Sequence, residues 1–428
     1  MSPTKVCTHL NLKYTEKSVA KRRKVRAVAV FDSFRATGSP PLRVATVMPT
    51  ITTDAEPTRA ELQSLYQWAK ESSFAGNDPH DLLTSPFLQG LRSPLVRLAA
   101  VQLGRRSPIN VRRLLRVPRS ENAKALALFI SGLVRAKERA TLSWHDDAEQ
   151  LVRKLLRLQH ANGGWGYPFP WQSRTHYLPT GMPNIVTTSF AGISLADFCA
   201  EHPSEEVKNA LERAVGYVLH SVSRVTTVPD TGIAFGYAQD DPQIVFNASL
   251  LGAEFLLNAG ILLGNDEYMS LARQAAQYVA CFQASDGSWV YGREVSQTWI
   301  DSFHTGFVVV SMRHIAEALR DAELLASATR GFIYFKKTFI AEDFAVNYFS
   351  NKRFPIDAHA LGQAMVTLAT FGDVDTAQRV AAWSIENMRS PKGYFYYQRH
   401  RLFTNRIPYL RWSNAWMFRG LAELAAYE

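Results

Sequence analysis

Cysteine is scarce in this chain. Cys7, Cys199 and Cys281 are the only three in 428 residues, too far apart for a disulfide framework or a thiolate metal cluster. The sequence also lacks a convincing metal-ligand spacing, a Gly-x-Ser-x-Gly elbow and a phosphate-cradling glycine loop. Metal sites, nucleotide cradles and serine-hydrolase chemistry therefore drop out, and no cofactor is expected. No apolar window reaches the roughly 18 residues of a membrane span. No apolar stretch follows the basic residues near the N-terminus, so no secretory leader is read there. The expected location is the cytoplasm, peripheral to a membrane surface.

Acidic residues are outnumbered, 38 Asp and Glu against 48 Lys and Arg, for a net charge of +10. That balance favours an anionic partner such as an acidic polymer or an anionic lipid surface. The basic residues concentrate in Lys21–Lys24 and at Arg105, Arg106, Arg112, Arg113, Arg116 and Arg119. No nucleic-acid-binding motif accompanies them, so nucleic acid is not an expected partner.

What the chain does have is repetition. Gln283 to Gly292 (QASDGSWVYG), followed by Ile300 to Phe307 (IDSFHTGF), reads as the end of one helix, a Gly/Trp turn and the start of a more apolar helix. An earlier copy runs from Gln159 to Tyr167 (QHANGGWGY), and a worn later one from Ser390 to Gln398 (SPKGYFYYQ). Amphipathic outer helices are predicted near 145–160, 205–222, 266–283, 322–337 and 375–389. More apolar inner helices are predicted near 121–135, 185–201, 244–262, 301–319, 357–371 and 411–427, recurring about every 55 to 60 residues. An N-terminal helix from Thr58, with Thr58 and Glu61 as a capping box, completes the set. The expected fold is all-α, an (α/α)6 toroid over residues 56–428 with a solenoid of helical hairpins as the alternative, preceded by a basic disordered tail over residues 1–55. A helix is also expected over 95–103.

Aligned on their small residues, the inner helices place Asn247, His304, His359 and Asn414 at nearly one repeat position, 57, 55 and 55 residues apart. Thr188 or Ser189 takes that position in an earlier copy, and Lys124 in the first. A core position would be apolar, because buried polar groups need partners. The set therefore points to a shared cleft at one mouth of the barrel. Loops carrying Trp165, Trp171, Arg174 and Tyr177, then Tyr397 and Arg399, and finally Arg411 and Trp412 are expected at the same mouth. Aromatic faces beside arginine forks suit sugars bearing carboxylates. Asp301 and Asp357 lead His304 and His359, as helix caps or as a pair of catalytic carboxylates.

The Gln-to-Trp copies resemble the Gln-Trp repeats of the prenyltransferase and squalene-cyclase toroids, although the Asp-x-Asp-Asp protonation motif of those cyclases is absent. A closer resemblance, from about Phe74 to Ala425, is to the VpsJ-type proteins of bacterial exopolysaccharide and capsule clusters. Five stretches carry it: Gly76 to Pro86, Ser107 to Arg112, Gly163 to Arg174, Asp301 to Phe307 and Arg411 to Met417. The resemblance implies a role in surface polysaccharide production.

The leading expectation is an enzyme acting on an acidic polysaccharide or oligosaccharide by abstracting the C5 proton of a uronic acid, as an epimerase or a lyase. His304, His359, Tyr177 and Tyr397 are candidates for base and acid. Arg174, Asn247, Arg411 and Asn414 are candidates for holding the carboxylate, with Trp165, Trp171, Arg399 and Trp412 lining the sugar site. The alternatives are a glycoside hydrolase using Asp301 and Asp357 roughly 5 to 9.5 Å apart, a glycan-binding assembly protein and a terpenoid cyclase.

Overall fold

An amphipathic helix must bury its apolar stripe, and a helix that is apolar all round must be enclosed by others. The chain meets both demands with two concentric rings. The computed structural model describes residues 55–136, 144–172, 177–222, 224–228, 232–239, 241 and 243–427. The tail expected over residues 1–55 lies outside them but for its last residue, and Ala55–Glu428 groups as one compact unit.

The inner ring is α3 (Ala123–Ala136), α5 (Ile185–Glu201), α7 (Phe246–Leu263), α9 (Ser302–Ala318), α11 (Ala358–Thr370) and α13 (Ala415–Ala425). The outer ring is α1 (Ala55–Glu71), α4 (Trp144–Arg157), α6 (Glu205–Gly216), α8 (Asp266–Ala280), α10 (Ala322–Phe339) and α12 (Val374–Met388). Each inner helix packs on two inner neighbours, and α13 on α3 closes the circle. The chain is thus an all-α (α/α)6 toroid. Among the described residues one further α-helix, α2 (Pro94–Arg106), stands apart from both rings. α7 is long and apolar enough to cross a membrane, which the sequence reading missed; 78% of it is buried inside the ring.

The repeated Gln, Gly and Trp tie one outer helix to the next. Gln159 Nε2 donates to Gly163 O at 2.7 Å and to Ala210 O of α6 at 2.9 Å. Gln283 repeats this with Gly287 O at 3.0 Å and Ser327 O of α10 at 2.9 Å. Arg213 and Arg330 donate back to the two glutamine oxygens at 2.6 and 2.8 Å. Trp165 and Trp289 donate through Nε1 to Leu155 O and Val279 O, at 2.8 and 2.9 Å. Gly163 and Gly287 sit at φ +94° and +91°, and an added Cβ would lie 2.1 and 2.5 Å from the carbonyl oxygens of Arg213 and Arg330. Only glycine meets both demands. In the worn copy Gly393 presses on Ser64 of α1, so the first helix serves as the sixth outer one, beside the last inner helix. The expected capping box does not form, because α1 begins before Thr58 and Glu61 pairs with Arg389.

Strands are few and short. β1 (Ala75–Gly76) pairs with β2 (Ser120–Glu121), β3 (Trp171–Gln172) with β4 (Tyr177–Leu178), and β5 (Arg224–Val228) with β6 (Gly232–Phe235). β7 (Ile356–Asp357), β8 (Gln398–Arg399) and β9 (Thr404–Asn405) form one small sheet. They connect the loops that lead into the inner helices.

Candidate active site

Because an outer helix runs back between each inner helix and the next, the six inner helices are parallel and their N-termini share one mouth. Unpaired N–H groups there favour acceptors and negative charge. Asn184, Asp301 and Asp357 cap α5, α9 and α11 through Thr187 N, His304 N and His359 N. Asn122 does the same for α3, accepting from Lys124 N at 3.0 Å.

Asp301 does more than cap. Its Oδ2 meets His304 Nδ1 at 2.7 Å and accepts from Trp299 Nε1 at 3.2 Å. A carboxylate held on Nδ1 fixes the tautomer and orientation of an imidazole and stabilises its charged form. His304 opens on a small cleft lined by Asn247, Tyr291, Trp299, Asp301 and Thr305. Tyr291 and Trp299 stack there with ring centroids 4.3 Å apart. Asn247 Oδ1 is buried with no hydrogen-bond partner.

A second group of residues adjoins the first through Phe303, whose ring lies 4.2 Å from that of His304 and 4.5 Å from that of His359. His359 is buried, stacks on Trp416 at 4.6 Å, and has no partner on either ring nitrogen. Burial holds its pKa well below the usual histidine value, with Lys124 and Arg411 adding to the effect. Lys124 is buried too, its Nζ 4.2 Å from the Phe190 ring centre and 5.3 Å from that of Trp416. Burial, and then Arg411, drive its amine well below the ordinary lysine pKa. Orphaned polar atoms also occur at Asn122, Asn184, Ser413 and Trp416, all at or beside inner-helix starts. Such groups are what a polar ligand would satisfy.

Next to these residues, Trp412 stands 4.9 Å from His359 and 5.1 Å from His80, and His80 stands 4.8 Å from Trp171. His80 is pushed down to about 4 by burial, against the pull of Asp78. Asp357 lies beneath Trp412, accepting its Nε1 at 3.1 Å and Gln398 Nε2 at 2.6 Å. Burial pushes the Asp357 carboxyl up to about 6 despite those bonds.

The structure separates the remaining candidates. Arg411 is spent on Asp78, donating at 2.6 and 2.8 Å. Burial alone would raise the Asp78 carboxyl, but Arg411 and His80 outweigh it and hold it well below the carboxylate range. Asn414 braces its own loop, accepting from Phe395 N at 2.7 Å and donating to Tyr409 O at 3.0 Å, so it offers nothing to a ligand. Thr188 likewise accepts from Trp165 N at 2.9 Å. Trp165 is core, not lining. Arg399 turns to Asn387 and Trp383 of α12, away from the cleft. Tyr397 is buried with its hydroxyl accepting from Arg105 Nε at 3.2 Å, and burial pushes it up to about 12. Tyr177 is exposed under the Arg97 guanidinium, 4.0 Å from it. Arg174 lies outside the described residues.

His304, Asp301, Asn247, His359, Trp412 and Trp171 are thus brought to one mouth. Lys124, placed by the sequence at the shared repeat position but given no role, joins them, as do Tyr291, Trp299 and His80, which were not singled out as site residues. A lysine inside the apolar run Ala123–Ile130 was the available signal for the first. Among the described residues no cluster of three or more His, Cys, Asp or Glu is placed to hold a metal.

No protein-family model and no curated protein matches the chain. Solved structures do. Cellobiose 2-epimerase from Bacillus thermoamylovorans is similar at 12% identity, covering 88% of this chain and 100% of its own, with a TM-score of 0.60. A possible GH105 member from Klebsiella pneumoniae matches at 12% identity over 92% and 100%, TM-score 0.59. Unsaturated glucuronyl hydrolase from Streptococcus agalactiae matches at 10% identity over 87% and 91%, TM-score 0.56. At such identities the likeness shows the toroid alone.

Proposed function

We propose that the protein is a carbohydrate-active enzyme that moves a proton at a sugar carbon, acting on the C5 position of a uronic acid in an acidic glycan. The observation that carries this reading is the pair of imidazoles flanking Phe303. One is neutral and unpartnered, the other is held by a carboxylate and faces a cleft. They have the opposed characters that proton transfer across a carbon needs.

His359, kept neutral by burial, takes the C5 proton. The electron pair of that C–H bond moves into the sugar carboxylate, which becomes an enediolate. An anion arriving beside Lys124 restores that amine's proton affinity, so the lysine is charged when the carboxylate needs neutralising. His304, oriented through Nδ1 by Asp301, returns a proton from the other face and inverts C5. Loss of the C4 substituent from the same enediolate, with its oxygen protonated, would instead give elimination. Entry of a sugar requires Trp412, His80 and Trp171 to part.

Support at the level of fold comes from the similar structures, which include an epimerase, a D-mannose isomerase and unsaturated glucuronyl hydrolases. The resemblance to VpsJ-type proteins is the support for a role in surface-polysaccharide production. A second reading, glycoside hydrolysis with Asp357 as acid, draws on its carboxyl standing near 6, a value suited to a general acid.

Proton NMR of the purified protein with several polyuronates in D2O tests the proposal. Deuterium at C5 is the expected result, lost in His359→Gln and His304→Gln. Inverted C5 means epimerase and a new unsaturated signal means lyase. New reducing ends without exchange would transfer the proposal to hydrolysis, and binding without change would leave a glycan-binding protein.

A further inference from the structure

From Phe87 to Arg119 the chain carries eight arginines and no acidic residue. The segment contains α2, and that helix presents its apolar stripe the wrong way round. A soluble helix turns the stripe inward. In α2 only Val101 and Gly104 are buried, and Gly104 sits tight on Leu82, whose Cδ2 would be 2.7 Å from an added Cβ. On the other side Leu95, Ala99 and Leu103, four residues apart, face solvent between exposed Arg92 and Arg106. Leu95 is 78% and Leu103 73% exposed. Beyond the helix Ile109 and Leu114 are 72% and 79% exposed, with Arg113 and Arg116 exposed beside them.

Exposed leucines in such number mark a surface that something covers. The charge says what kind. Arg105 and Arg112 turn inward, to Tyr397 and to Asp81, Arg97 lies over Tyr177 and Arg119 donates to Ala75 O, which leaves Arg92, Arg106, Arg113 and Arg116 exposed around the apolar residues. Long guanidinium side chains around apolar ones suit the boundary between lipid phosphates and acyl chains, where the apolar groups enter and the charges stay at the headgroups. A nucleic acid would take the arginines and leave the leucines in water.

We propose that α2 and its flanks dock the protein on an anionic lipid bilayer, with Leu95, Leu103, Ile109 and Leu114 entering the interface. Arg105 of the same helix donates to the Tyr397 and Tyr348 hydroxyls, so the docked face lies next to the barrel mouth. The proposal holds whatever reaction the site performs.

The test is flotation of the full chain with vesicles of phosphatidylcholine alone and of phosphatidylcholine with phosphatidylglycerol, at about 0.1 M salt. Binding is expected only to the anionic vesicles, and the double variant Leu95→Asp/Leu103→Asp should weaken it roughly tenfold or more with circular dichroism unchanged. Should that variant misfold, Leu114→Asp, outside the helix, gives the same reading. Binding that survives these changes, as through Lys21–Lys24, overturns the proposal, and so does no binding to either vesicle. A dimer in light scattering that the double variant dissolves, with no lipid binding, would make the patch a contact between two copies instead.

Discussion

Asp301 grips His304 at two points: one carboxylate oxygen accepts the main-chain N–H at 3.0 Å and the other meets Nδ1 at 2.7 Å. Capping and orientation are therefore separable by chemistry. Asparagine caps helices about as well as aspartate but cannot stabilise an imidazolium. Asp301→Asn is expected to slow C5 exchange by about 100-fold or more while changing stability by only about 1 kcal/mol or less. The single-turnover exchange rate and a urea melt decide it. A large loss of stability with unchanged exchange would reduce Asp301 to a cap.

Lys124 gives the second prediction. Among the described residues no carboxylate stands within ion-pair distance of it, and burying a charge without a counter-ion is costly. Lys124→Met keeps length and removes the amine. Stability should rise or stay level, because nothing polar is left orphaned. KM for a polyuronate should rise by about tenfold or more, since a charge-assisted bond to a substrate is worth about 1.5–3 kcal/mol. A neutral glucan with the same linkage should bind equally to both proteins. An unchanged KM for the polyuronate in the variant would remove the lysine from carboxylate recognition.

Both rings of helices were legible because each helix type has its own pattern. The outer helices repeat apolar residues every three or four positions, as in Ala272, Ala275, Ala276 and Val279, all buried. The inner ones are nearly uniform runs such as Phe246–Leu263. The mouth was legible as a repeat position but not as a set of roles. Asn414 and Asn247 share that position, yet the first turns to Phe395 and Tyr409 while the second keeps its oxygen for the cleft. No spacing rule separates the two, because the loop in front of each helix decides. Arg411 looked available because its partner Asp78 is 333 residues away in the chain. Periodicity describes neighbours along a helix, not ion pairs made across a closed ring.

Asp357 gives a prediction about pH. Its carboxyl is raised from 3.8 to about 6 in the folded protein. A group raised on folding contributes stability that is fully present below 3.8 and lost as pH climbs through 6. Asp357→Asn cannot lose it. The melting temperature of the variant, relative to the parent, should therefore climb between pH 4 and pH 7. His80, lowered from 6.5 to about 4, works the other way: its contribution is present above 6.5 and falls away on acidification. It does so in both proteins and cancels from the difference. A difference that stays flat from pH 4 to 7 would mean Asp357 is ionised throughout.

The repeat itself makes the last prediction, because two glycines share a backbone conformation but not a setting. Gly287 and Gly372 have φ +91° and +78°. An added Cβ at Gly287 would lie 2.5 Å from Arg330 O, whereas at Gly372 nothing stands within 4 Å. Gly372→Ala should therefore show conformational strain alone, on the order of 1 kcal/mol. Gly287→Ala adds a collision with the backbone of α10, which must move and take Trp289 with it. Its loss should exceed that of Gly372→Ala by about 1–3 kcal/mol, the range for overpacking a tight site. Gln283→Ala, which strips the partners from Gly287 O, Ser327 O and Arg330, should fall between them, at about 1–3 kcal/mol. Urea unfolding of the three variants ranks them. Equal losses for the two glycines would show that the turn fixes only its own backbone and that the outer helices hold together without it.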